Sequence, residues 1–117
     1  MPTPTDIVLH QASRILEVAF EDGARFRLPA EYLRVESPSA EVQGHGPGQK
    51  QLVAGKRAVG IVGVEPVGHY AVLLRFSDGH ASGIFSWDTL HRLGREQEAF
   101  WPRYENALAA AGKSRDA

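Results

Sequence analysis

Two Asp-Gly dipeptides, each set between apolar runs, constrain this chain more than any other feature. Asp22-Gly23 lies between "RILEVAF" and "RFRL", and Asp78-Gly79 lies between "HYAVLLRF" and "HASGIF". Asp-Gly suits the tight reversal of an antiparallel hairpin, whose central residues need positive φ. In the first run Leu16, Val18 and Phe20 alternate with Ile15, Glu17 and Ala19, the period of two that places one set on each face of a sheet. The chain is thereby committed to antiparallel β-structure at two separate places.

The flanking segments extend that reading. Residues 6–10, 14–20 and 25–28 are expected as an N-terminal meander, with residues 1–5 a frayed leader. Residues 57–65 form an apolar β-type run that Pro66-Val67-Gly68 interrupts. Residues 69–76 and 80–85 then pair as a second hairpin, with Tyr70, Val72, Leu74 and Phe76 on one face. Pro29 is tolerated at the first position of a helical turn over 29–34. Ser86 is a natural N-cap, and Gly94 reads as the C′ glycine of a short helix near 86–93. Phe100, Tyr104, Leu108 and Ala111 mark a C-terminal helix near 100–111. Pro102 either opens this helix or kinks it, Gly112 ends it, and residues 113–117 are expected to be disordered. Strands followed by helices argue for an α+β fold with a mostly antiparallel sheet. Its length of 117 residues fits one domain, expected over 6–112.

Composition matters chiefly by exclusion. There is no cysteine, which removes disulfides, thiolate zinc sites, Cys-ligated iron–sulfur clusters and cysteine nucleophiles together. The net charge of -1 offers no field to recruit nucleic acid or an acidic membrane. No run approaches the roughly 20 apolar residues that span a bilayer. The expected location is cytoplasmic, in a bacterial-type cell. A monomer or a weak homodimer is expected, the latter through a sheet edge or the aromatic C-terminal helix.

The motifs that carry chemistry mostly fail on detail. "GHGPGQK" at 44–50 is rich in glycine, but no Gly-Lys-Ser/Thr follows, so it is no phosphate-binding loop. The five histidines, His10, His45, His69, His80 and His91, form neither an i, i+4 helical pair nor an HExxH. His69 and His80 are expected on adjoining strands across the turn at 77–79, with no third ligand in evidence. No Gly-x-Ser-x-Gly elbow is present among the serines, and no catalytic residue is assigned.

Three stretches, "LPAEYLRVESPSAEVQGHGPGQ" at 28–49, "GKRAVGIVGVEPVGHYAV" at 55–72 and "FSDGHASGIFSWDTLHRLG" at 76–94, resemble the DUF971 family. This is also called the γ-butyrobetaine-hydroxylase-like N-terminal domain, and the chain resembles its stand-alone form over roughly residues 6–105. The resemblance implies a compact β-rich domain with one or two helices. In larger relatives the domain precedes a 2-oxoglutarate-dependent oxygenase or joins P-loop ATPases linked to iron–sulfur assembly. The hydroxylase branch binds zinc through three Cys and one His. On the residues of this chain those positions carry Ser37, Ser39, Val42 and His80, so the sulfurs are missing and structural zinc of that type is not expected.

The expected function is therefore a non-catalytic binding or adaptor domain, associated through its family with iron–sulfur or 2-oxoglutarate-oxygenase pathways. Its expected binding face combines Arg34, Ser37, Ser39, His45, Tyr70, His80 and Trp87, for a protein or small-ligand partner and with no cofactor. The alternative is a metal-binding protein in which His80, with His69 or His45 and carboxylates such as Glu36 or Glu41, holds iron or zinc. Without zinc, the loop at 35–50 is expected to be mobile, and His80 is expected to hydrogen-bond the Ser37/Ser39 loop rather than coordinate.

Overall fold

The computed structural model describes residues 2–44, 50–81 and 83–116. It is an α+β structure of two three-stranded antiparallel sheets and one long helix. The first sheet is a meander of β1 (Pro4–His10), β2 (Ile15–Phe20) and β3 (Arg25–Pro29), in that spatial order. The alternation that predicted it also sets its faces. Leu16 and Val18 are fully buried, whereas Glu17 points to the other face, where His10, Arg25 and Arg27 converge on its carboxylate. β1 begins at Pro4, and the Thr3 carbonyl accepts from Glu21 N–H, so the sheet absorbs most of the expected leader.

A short helix, α1 (Ala30–Val35), follows directly, with Pro29 as its N-cap rather than its first helical residue. The irregular stretch after it contains one further turn of helix, α2 (Ala40–Gln43). The second sheet is β4 (Ile61–Val67), β5 (Ala71–Phe76) and β6 (Ile84–Ser86). β4 starts later than expected and runs through Pro66, which pairs with Val72. Proline lacks an N–H donor but is accepted here because β4 is an edge strand. His69 and Tyr70 consequently lie in the β4–β5 turn rather than in β5.

The two expected C-terminal helices are one. α3 (Trp87–Ala110) runs unbroken through Gly94 and Pro102. Ser86 caps it as expected, its Oγ accepting from Thr89 N–H at 3.1 Å. Gly94 is not a terminator but a point of close approach: a Cβ there would lie 2.3 Å from Cγ of Phe26 on β3. Pro102 is exposed, so the carbonyl it leaves without an intrahelical partner can be met by water. The helix ends where Gly112 N–H donates to Ala109 O and Lys113 N–H to Leu108 O, the paired bonds of a Schellman cap.

Residues 113–116, expected to be disordered, lie against the body. Gly55 N–H and Arg57 N–H donate to the carbonyls of Ser114 and Arg115 at 2.9 Å each. The Arg115 guanidinium holds the buried Glu31 carboxylate through two bonds of 2.8 Å and stacks over Trp101. One apolar core joins the elements, with Leu16, Val18 and Leu28 from the first sheet, Ile61, Leu74 and Phe85 from the second, and Leu90 and Leu93 from α3.

Candidate functional site

Among the described residues two places combine polar side chains with a nest or a groove that could serve as a site. The first is built where α1 ends. Ser37 is fully buried, and its Oγ lies 3.1 Å from Nε2 of His80. The same Oγ accepts from Ser39 N–H at 3.3 Å, and Gln43 Nε2 donates to Ser37 O at 2.8 Å. Ser39, Val42 and His80 are likewise buried. His80 is positioned from the Asp-Gly turn: its N–H donates to Asp78 Oδ1, its carbonyl accepts from Phe76 N–H, and its ring packs on Phe76. Gly83 completes the nest, since a Cβ there would fall 2.3 Å from Ser37 Oγ.

These residues do not fit zinc. Neutral hydroxyls are poor substitutes for thiolates, and Val42 has no donor atom. The Ser37 hydroxyl is already engaged with His80 and Ser39 N–H. Among the described residues no group of three or more His, Asp or Glu side chains is placed to hold a metal ion. His45 and the Glu41 side chain lie outside the described residues. Glu36 is paired with Lys50 at 2.6 Å.

Next to this nest, Asp78 joins two cations, Arg34 Nε at 2.8 Å and Lys56 Nζ at 2.6 Å. Burial pushes the Asp78 carboxyl up, but hydrogen bonds from Lys56, the His80 backbone and Arg34 outweigh it and hold the group at about 2. Arg34 is thus a structural clamp on the turn. Its Nη1 is buried with no hydrogen-bond partner among the described residues.

The predicted face does not assemble as one surface. Tyr70 and Trp87 lie at the far end of β5 from His80, about 17 Å away along a strand that rises roughly 3.4 Å per residue. There Trp87 donates from Nε1 to His69 O at 2.8 Å and from its N–H to Tyr70 O at 3.0 Å. His69, at this same end, therefore does not face His80.

The second place is a groove that sequence reasoning missed. It has a volume of about 480 Å³ and lies between α3 and the segments 35–43 and 50–53. Val35, Leu52, Phe100 and Ala107 supply apolar wall, and Lys50, Arg92 and Arg103 supply charge. Tyr104 fixes the wall by donating from its hydroxyl to Val53 O at 2.6 Å. Burial, then the nearby Glu31 carboxylate, pushes that phenol up to about 12, so it remains a donor at neutral pH. The guanidiniums of Arg92 and Arg103 stand 5.8 and 5.4 Å from the Phe100 ring centroid. The available signal was the Phe100/Tyr104 stripe, but the facing wall comes from a segment without periodicity.

Residues 7–91 match the family described as gamma-butyrobetaine hydroxylase-like, N-terminal. No curated protein matches the sequence. Among solved structures, one determined by NMR in solution is 52% identical, with a TM-score of 0.87 over 99% of this chain and 91% of that one. A second NMR structure is 46% identical, with a TM-score of 0.85 over 98% of this chain and 86% of the other. A crystal structure from Acidithiobacillus ferrooxidans, described as a DUF971-family protein of unknown function, is 48% identical, with a TM-score of 0.67 over 79% of this chain and 92% of that one.

Proposed function

Because the chain belongs to the gamma-butyrobetaine hydroxylase-like N-terminal family, the DUF971 domain, we propose that it is a non-catalytic binding module. It would act as a cytoplasmic adaptor beside iron–sulfur or 2-oxoglutarate-oxygenase chemistry. The observation that carries this reading is the groove along α3, which combines apolar wall, an aromatic ring and cations at a size suited to a small ligand. The Ser37/His80 nest supports it from the other side. Its polar groups are turned on one another and hold the loop after α1 to the Asp78 turn, a structural use of side chains that elsewhere serve as nucleophile and base.

Amide shift mapping of the full chain against a mixed library of neutral, cationic and anionic fragments tests the reading. Perturbed amides should gather at 35–36, 50–53 and 100–107. They should vanish in A107W, which fills the groove from an exposed helical position and leaves the circular dichroism unchanged. Hits scattered over the surface, or indifferent to A107W, would sink it.

A further inference from the structure

We infer that this groove takes a small organic acid, its carboxylate held by Arg92 and Arg103 and its apolar body laid against Phe100 and Leu52. The inference rests on reading the groove as a ligand site and adds the chemistry of the ligand.

Charge is the first argument. Among the described residues three cations and a single carboxylate, Glu36, line the groove, and Glu36 is matched to Lys50 at 2.6 Å. Two guanidiniums remain. Arg103 contacts the face of Phe100 and forms no ion pair among the described residues. Arg92 has Glu96 at 3.6 Å, beyond hydrogen-bond length. Both forks therefore keep donors for an incoming anion, and a guanidinium matches a carboxylate in two parallel bonds.

Preorganisation is the second. Both guanidiniums are drawn to one aromatic ring, and such stacking restricts a side chain that is otherwise costly to order. The third argument is what the groove withholds. The Tyr104 hydroxyl is spent on Val53 O, and the Gln43 amide donates to Ser37 O. A neutral polar ligand would find few free partners, so the negative charge does the selecting. An apolar body is favoured because Val35, Leu52, Phe100 and Ala107 line the remainder. A polyanion is disfavoured, since the chain as a whole carries a net charge of -1 and adds no attraction at long range.

The test titrates the full chain with 3-phenylpropionate and with 3-phenylpropionamide, which share shape and differ in charge. Amide and arginine Nε–Hε shifts report binding. The acid should bind the groove at least tenfold more tightly than the amide. R92Q and R103Q, both at exposed positions, should each weaken the acid roughly threefold to fivefold, and added salt should weaken it further. Equal binding of acid and amide overturns the inference and leaves the groove reading standing. So does failure of both compounds while other fragments still enter the groove. Displacement of the acid by inorganic phosphate at equal concentration overturns the assignment in favour of a simple anion site. If no fragment of any charge enters the groove, the underlying reading falls and the inference with it.

Discussion

Replacing Gly94 by alanine sets local preference directly against packing. In an exposed helix interior, alanine is favoured over glycine by about 1 kcal/mol. Here the new Cβ would sit 2.3 Å from Phe26 Cγ and 2.4 Å from Cδ2, far inside the 3.5–4.0 Å of normal carbon contact. These atoms are the root of the ring, so Phe26 must leave as a whole. Its departure strains the site by about 1–3 kcal/mol. It also weakens the edge-on contacts with Phe20 and His91, whose ring centroids lie 6.0 and 5.5 Å away. The packing cost is about 3 kcal/mol, and subtracting the helix preference leaves G94A about 2 kcal/mol less stable. Its melting temperature should fall by roughly 6–10 °C. The decisive comparison is made in the F26A background, where the ring is gone and G94A should stabilise by about 1 kcal/mol. Urea unfolding followed by the fluorescence of Trp87 and Trp101 measures both changes and gives a coupling of about 3 kcal/mol. A higher urea midpoint for G94A in the native background, or the same shift in both backgrounds, would refute the close-approach account.

S37A removes an acceptor of Ser39 N–H and one partner of the buried His80, and should cost about 1–2 kcal/mol by thermal or urea unfolding; a chelator should leave the melting temperature of the native chain unchanged. The folded Asp78 carboxyl is depressed to about 2 from its ordinary 3.8. Its stabilisation is therefore present above about pH 4 and lost as pH falls toward 2, amounting to about 1 kcal/mol once solvent screening of this partly exposed group is discounted. The stability gap between the native chain and D78N should close across that window in pH-dependent urea titrations. R115A leaves Glu31, only 7% exposed, as a buried carboxylate without its ion-pair partner and should cost about 2–3 kcal/mol. It should also speed amide exchange at Gly55 and Arg57, which donate to the carbonyls of Ser114 and Arg115, and E31Q/R115A should recover part of the loss.

What could be read from the sequence was what local periodicity records. The alternation in residues 15–20 specified β2 and its buried face, and the two Asp-Gly turns located the reversals between β2 and β3 and between β5 and β6. Gly94 and Pro102 misled because their intrinsic preferences break isolated helices. In the folded chain Gly94 is required by the Phe26 ring, and Pro102 faces water. Pro66 misled in the same way until its strand proved to be an edge. Residues 113–116 were unreadable for a different reason: what holds them are backbone bonds from Gly55 and Arg57 and an ion pair to Glu31, 84 positions from Arg115, which no window along the chain contains. The proximity of His80 to Ser37 was anticipated only through the family resemblance, because their own spacing of 43 positions implies nothing. The groove was missed because its walls belong to three segments and its arginines look in sequence like an ordinary solvated helix face.

The junction at Ser86 has a wider consequence. This residue ends β6 and caps α3, with no connecting loop between them. Thus the second sheet passes straight into the helix that Gly94 presses onto the first. The joint has no slack residue to act as a hinge, and both sheets share one apolar core cluster with α3. The slowest backbone amides of β2 and β5 should then exchange at one common free energy, that of global opening, because neither sheet can come loose while the other stays folded.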